Sequence, residues 1–159
     1  MPPADLLLTY MNADRPHLTA NRARVHHLNS VHGVYLRPGL RRTGTEFLPL
    51  AALNTLTLIG AETVGRAYGG GLLKLEPREA DVLPMPSPAL VAAAAPALRA
   101  LRPRIGALLS AGRLSEATAL VDGALLIEAA GVGPVELDLL VTARQVLADR
   151  RAARGKAVP

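Results

Sequence analysis

The stretch YGGGLLKLEPREADVLPMP, Tyr68–Pro86, decides how the first half of the chain is read. Three consecutive glycines run into apolar residues carrying one lysine, and a charged segment then ends in spaced prolines. A phosphate-binding P-loop needs four residues between its first glycine and Gly-Lys-Ser/Thr, so that backbone N–H groups ring the phosphate and a hydroxyl meets magnesium. Gly69–Lys74 has neither that spacing nor the hydroxyl. A dinucleotide fingerprint runs strand, glycines, helix, whereas the order read here is helix, glycines, strand. The glycines Gly69, Gly70 and Gly71 therefore read as structural. They close a preceding helix, since a helix C-terminus favours a residue with left-handed backbone angles.

Outward from this corner the chain predicts an α+β fold. On the N-terminal side, LLLTY (Leu6–Tyr10) reads as a short strand, and RVHHL and VHGVYLR as two more, joined by a tight turn at Asn29-Ser30. RPGLRRTGTE (Arg37–Glu46) carries Pro-Gly and Thr-Gly and reads as a polar loop bearing three arginines. FLPLAALNTLTLIGAETVGRAYGGG reads as two short helices, with Asn54 or Thr55 capping the break. LLKLE reads as a strand, and Pro77 opens one or two helical turns. Composition changes near Pro84–Pro88. Beyond it lies an Ala/Leu/Arg-rich helical hairpin or three-helix part, with Pro96 and Pro103 expected to kink or divide its first helix. Ser115 is expected to cap the second helix and Gly131 to end it. Residues 1–88 thus form a small mixed part, 89–152 a helical part, and 153–159 a frayed basic tail.

Charge is distributed unevenly. The net charge is +5, and from Arg15 to Thr45 there are six arginines and no acidic residue. Such a one-sign stretch attracts polyanions, of which nucleic acid is the commonest. An arginine-rich surface without a partner is the plainer alternative. There is no cysteine, which excludes disulfides and thiolate metal sites. His26, His27 and His32 lack a neighbouring carboxylate to complete a zinc set, so no metal is expected. No Ser-His-Asp arrangement is suggested, and Glu46, Glu62 and Glu76 read as surface partners of Arg66, Lys74 or Arg78. No apolar run is long enough for a membrane span, and the expected location is the cytoplasm.

Taken together, LTYMNADRPHL, HHLNSVHGVYLR and LAALNTLTLIGAETVGRAYGGGLLKLEPREADVLPMP resemble the C-terminal region of N6-adenine DNA methyltransferases of restriction–modification systems, of the TaqI-like and Eco57I-like kinds. The likeness covers roughly Leu6 to Pro88, within which Leu83-Pro84 matches a leucine-proline closing element. Enzymes of this family hold the flipped adenine with an Asn/Asp-Pro-Pro-Tyr/Phe motif and carry a glycine-rich loop for S-adenosylmethionine. Neither stands in this sequence. The resemblance therefore implies a target-recognition end that does no chemistry alone and takes no cofactor. A separate methyltransferase subunit is then the expected partner beside double-stranded DNA.

On that reading Arg15, Arg37, Arg41, Arg42, Arg66 and Lys74 contact phosphates, which fixes register without reading sequence. Four to six such contacts give a log–log salt slope of roughly −4 to −5. Asn29, Ser30, His32 and Arg41 are the candidates for reading bases. The alternative is a structural or interaction protein, a homodimer through its Ala/Leu helices, or a decayed remnant of a modification methylase. Under that alternative Asn29 only makes a turn, and Arg66 and Lys74 pair with Glu62 and Glu76.

Overall fold

The computed structural model describes residues 2–156. Its architecture is α+β, with two small antiparallel sheets joined by one strand-to-strand corner and wrapped by six helices. Strand β1 (Leu6–Thr9) alternates buried and half-buried residues, so Leu6 and Leu8 point into the core. It is flanked by β3 (Leu18–Ala20) and β4 (Val31–Val34), both antiparallel to it. After Thr9 the chain crosses to the second sheet within one residue. There β2 (Met11–Asn12) pairs with β6 (Leu72–Lys74), which in turn pairs with β5 (Arg66–Tyr68). Tyr10 is the corner: its N–H donates to the Ser30 carbonyl (3.3 Å), and its own carbonyl accepts from the Leu75 N–H (2.9 Å).

Helices α1 (Arg41–Ala51) and α2 (Thr55–Val64) follow, with an 82° bend between the segments Pro38–Ala51 and Thr55–Val64. Asn54 makes the break, its side chain accepting from the Thr57 N–H at 2.9 Å as the α2 N-cap. Asp122 fixes the same helix start from far along the chain. Its carboxylate accepts from the Thr55 N–H (2.8 Å) and hydroxyl (2.6 Å). Helix α3 (Pro77–Asp81) opens on Pro77 with a reciprocal Glu76/Glu79 capping box.

Helix α4 (Pro88–Ser110) continues through Pro96 and Pro103 rather than dividing. Each proline removes one backbone bond. Burial of Val91, Ala94, Leu98, Ile105 and Leu108 offsets that loss. Helix α5 (Leu114–Asp122) starts after Arg113, not at Ser115, and passes into a π-helical turn, Gly123–Ala129. Gly131, at φ +74°, then ends the run as expected. The last helix, α6 (Pro134–Lys156), extends four residues into the segment expected to fray, while 157–159 lie outside the described residues.

The main core joins Phe47, Ala51 and Leu53 of the N-terminal half to Val91, Leu98, Ile105, Val121 and Leu125 of the C-terminal half. The compositional change near Pro88 is therefore not where the packing divides. A second cluster, Leu8, Ala61, Leu73, Leu75 and Leu83, lies under the sheets. Pro84 closes it by lying on Gly60, where an added Cβ would meet the ring Cδ at 2.6 Å. Gly60→Val should thus cost about 1–3 kcal/mol by overpacking against a rigid ring, read as a lower urea midpoint; an unchanged midpoint would show that Pro84 swings aside freely.

Three further sequence expectations are corrected. The glycines do not close a helix, since α2 stops at Val64 and Gly65. Gly69–Gly71 instead form the turn of the β5–β6 hairpin, with Gly70 and Gly71 at φ +74° and +76°. RPGLRRTGTE is not a loop but a 3-10 turn (Pro38–Leu40) leading into α1. Gly44 is there for close approach, since a Cβ would lie 2.7 Å from Leu36 Cδ1. RVHHL is irregular, and β4 pairs with β1 instead of with it.

Candidate nucleic-acid interface

The arginine-rich segment gathers at one corner, and two buried polar residues build it. Asn21, only 6% exposed, donates its amide to the Ala4 and Val25 carbonyls (3.0 and 2.8 Å) and accepts from the Val25 N–H (3.1 Å). This knots residues 21–25 into a tight loop. Arg24 inside it adopts φ 53°, alone among the described non-glycine residues in having positive φ. Asp5, 8% exposed, accepts from the Leu36 N–H at 2.9 Å. Its two oxygens also face Arg24 Nη1 at 3.8 Å and Arg41 Nε at 3.6 Å. One buried carboxylate thus draws together guanidiniums from the loop and from the start of α1, both of which stay more than half exposed.

Arg37 and Arg42 are exposed beside this pair and have no carboxylate partner among the described residues, and the same holds for Arg22. The first turn of α1 holds Arg41 and Arg42, no acidic residue and no side-chain cap. The 3-10 turn runs straight into it and the Arg41 N–H already donates to the Pro38 carbonyl, so what this end adds to the cations is the positive pole of the helix dipole. That arrangement disfavours the helix by itself and favours an anion bound at its N-terminal end. Behind it an apolar cavity of about 140 Å³ lies between α1 and α4, walled by Leu36, Leu40, Leu48 and Val91.

The other expected phosphate contacts lie elsewhere, two of them engaged by carboxylates and the third half-buried. Arg66 pairs with Glu79. Lys74 lies 2.7 Å from Glu76 and about 5 Å from the ring centres of both Tyr10 and Tyr68. The hydrogen bond to Glu76, then that to Tyr10, raises the lysine's pKa, and the same contacts lower that of Glu76. Arg15 is half-buried, donating to the Pro16 carbonyl (3.2 Å) while its Nε has no partner. Burial lowers its pKa against the opposing charge of Asp14, and Arg144 lowers it further. Asp14 ends below the usual carboxylate range, because the Arg15 N–H and His17 outweigh the upward push of burial. Among the base-reading candidates, Asn29 and Ser30 occupy an exposed turn. His32 donates Nε2–H to the Leu75 carbonyl at 2.8 Å and meets Tyr10 edge-on, which ties the two sheets together.

Sequence reasoning missed Arg24, Asp5 and Asn21 as builders of the corner. Single residues that act through burial leave no pattern in the sequence. It also missed Arg151, 8% exposed, whose guanidinium brings together three distant segments. Nε and Nη2 form a two-pronged pair with Glu62 (2.8 and 2.9 Å). Nη1 donates to the Gly71 and Ala13 carbonyls, and Nη2 also reaches the Asp14 carbonyl at 3.5 Å. All five donors of the group are used.

Residues 1–126 match the family described as Type II methyltransferase M.Eco57I, C-terminal domain. The chain belongs to that family. Every residue of the arginine corner lies within the matched span of this M.Eco57I-type C-terminal domain, and α6 with Arg151 lies beyond it. A similar protein is the Type II methyltransferase M.XamI of Xanthomonas campestris pv. amaranthicola, 39% identical over 85 residues. That alignment covers 54% of this chain and 15% of the relative's length. No solved structure matches. The resemblance read from the sequence is thus a family relationship, and the matched part is a C-terminal domain.

One pH dependence arises inside this domain. Burial pushes the Asp122 carboxyl above the ordinary 3.8, against the lowering effects of Thr55 and Arg144. A carboxyl that holds its proton more tightly when folded loses stability as pH rises from its unfolded toward its folded value. The urea midpoint of the wild type minus that of Asp122→Asn should therefore fall as pH rises from about 4. A difference that rises with pH would mean the ionised form is the favoured one.

Proposed function

We propose that this domain binds double-stranded DNA and does no chemistry alone, serving as the target-recognition end of an adenine-modifying type II enzyme. The transfer reaction then belongs to a methyltransferase chain or segment outside these residues. One observation carries the reading: Arg37, Arg42, Arg24 and Arg41 stand exposed together at the positive end of α1, the first two with no carboxylate partner among the described residues. Phosphate is the anion that such a corner suits, because guanidiniums give its oxygens charge-assisted hydrogen bonds and the helix dipole favours negative charge there. The exposed Asn29-Ser30 turn supplies side chains able to read base edges, whereas His32, with its Nε2 engaged, is left to position the turn. Membership of a methyltransferase C-terminal family supports the same partner.

Fluorescence anisotropy of a labelled duplex, titrated at two salt concentrations, tests this. With Arg22 counted, five phosphate contacts should give a log–log slope of roughly −4 to −5. Absence of salt-sensitive binding at micromolar protein would reject the proposal.

A further inference from the structure

Helix α6 has two unlike faces. Leu137, Leu140, Arg144, Leu147 and Arg151 turn inward and are half-buried or buried. On the outer side Val135, Leu139 and Val146 are 74%, 67% and 52% exposed. Thr142, also exposed, falls between them. Steps of four, three and four residues are the spacing of the core positions of a coiled coil. Lone exposed apolar residues are ordinary, but a stripe of this spacing is a surface that lacks its cover.

The charges beside the stripe say what covers it. Glu136 and Asp138 flank its N-terminal end, while past its C-terminal end lie Asp149, which accepts from the Gln145 amide at 2.9 Å, and Arg150 and Arg154, so one end is acidic and the other net basic. A parallel second copy would set the two acidic ends together and the two net basic ends together. An antiparallel copy sets Glu136 of each chain toward Arg150 of the other, and small residues, Thr142 and Ala143, fall near the crossing. We propose that two copies of this chain associate through an antiparallel α6–α6 contact across the Val135, Leu139, Thr142 and Val146 stripe. The contact is isologous, so every interaction occurs twice. Three helical turns per copy make a small interface, and buried areas below about 1,200 Å² go with weak, reversible association. The proposal does not depend on DNA binding.

The chain has no cysteine, so a single introduced thiol reports on one position. With a short bis-maleimide, Thr142→Cys should yield covalent dimers. Val135→Cys should not, because its two copies lie on the order of 15–25 Å apart along an antiparallel pair. Sedimentation velocity from about 10 to 500 μM should show a concentration-dependent dimer that Leu139→Glu returns to monomer with an unchanged thermal melt. Cross-linking at both positions would overturn the antiparallel arrangement. A wild type that stays monomeric, or dimers that persist in Leu139→Glu, would overturn the contact itself.

Discussion

Arg151→Ala is expected to destabilise the domain by about 3–5 kcal/mol, the cost of removing one partner from a buried ion pair. The reason lies on the Glu62 side. Its carboxylate is 6% exposed and takes both of its charged hydrogen bonds from Arg151. Without the guanidinium it keeps a charge that water barely reaches, and the Gly71 and Ala13 carbonyls lose a donor. Total stabilities of 5–15 kcal/mol are usual for a domain, so this one change removes a large share. Urea unfolding followed by circular dichroism measures it. Glu62→Leu combined with Arg151→Met should recover most of the loss, because a buried pair replaced by apolar groups of similar volume is often neutral. A loss below about 1 kcal/mol, the range of exposed ion pairs, would mean that the guanidinium is solvated and α6 only loosely seated.

The second large effect separates binding from folding. Arg37→Glu combined with Arg42→Glu should weaken duplex binding by roughly 100-fold or more, each lost charged hydrogen bond contributing about 1.5 kcal/mol at least. The fold should not suffer. Arg42 lies in the first turn of α1, where glutamate is favoured by about 0.3–1 kcal/mol through the helix dipole. Binding falls while the melting temperature holds or rises. Arg41 is left unchanged because it faces the buried Asp5, and reversing it would set two carboxylates together. Arg66→Gln and Lys74→Gln serve as contrasts and should alter binding little, since Glu79 and Glu76 already engage those side chains. Equal losses from both sets of variants would show that net charge, and not the corner, drives association.

Much of the fold is written locally. The alternation of Leu6 and Leu8, the Asn54 cap, the openings at Pro77 and Pro88 and the stop at Gly131 each follow from the chemistry of a few neighbouring residues. The elements that depart from the sequence expectation depend on distant contacts. Positive φ at Gly70 and Gly71 suits a helix stop and a hairpin turn equally, and the three-residue β5 is too short to show a period. Thr43-Gly44 looks like a turn until Leu36 is seen lying against the glycine. The same holds for the site. The concentration of arginine is legible directly, but which cations are free is not. Arg66 meets Glu79 across 13 residues, and Glu62 meets Arg151 across 89.

That last contact has a consequence in time. The triple-glycine turn is complete as a covalent chain long before its lock exists, because Arg151 lies 80 residues after Gly71. At synthesis rates of about 5–20 residues per second, the turn waits roughly 4–16 s for the guanidinium to be made, and the Glu62 carboxylate slightly longer. Through that interval the nascent chain holds an unpaired acid beside an unlatched hairpin. Its final closure therefore cannot precede the synthesis of Arg151, however quickly the hairpin itself forms.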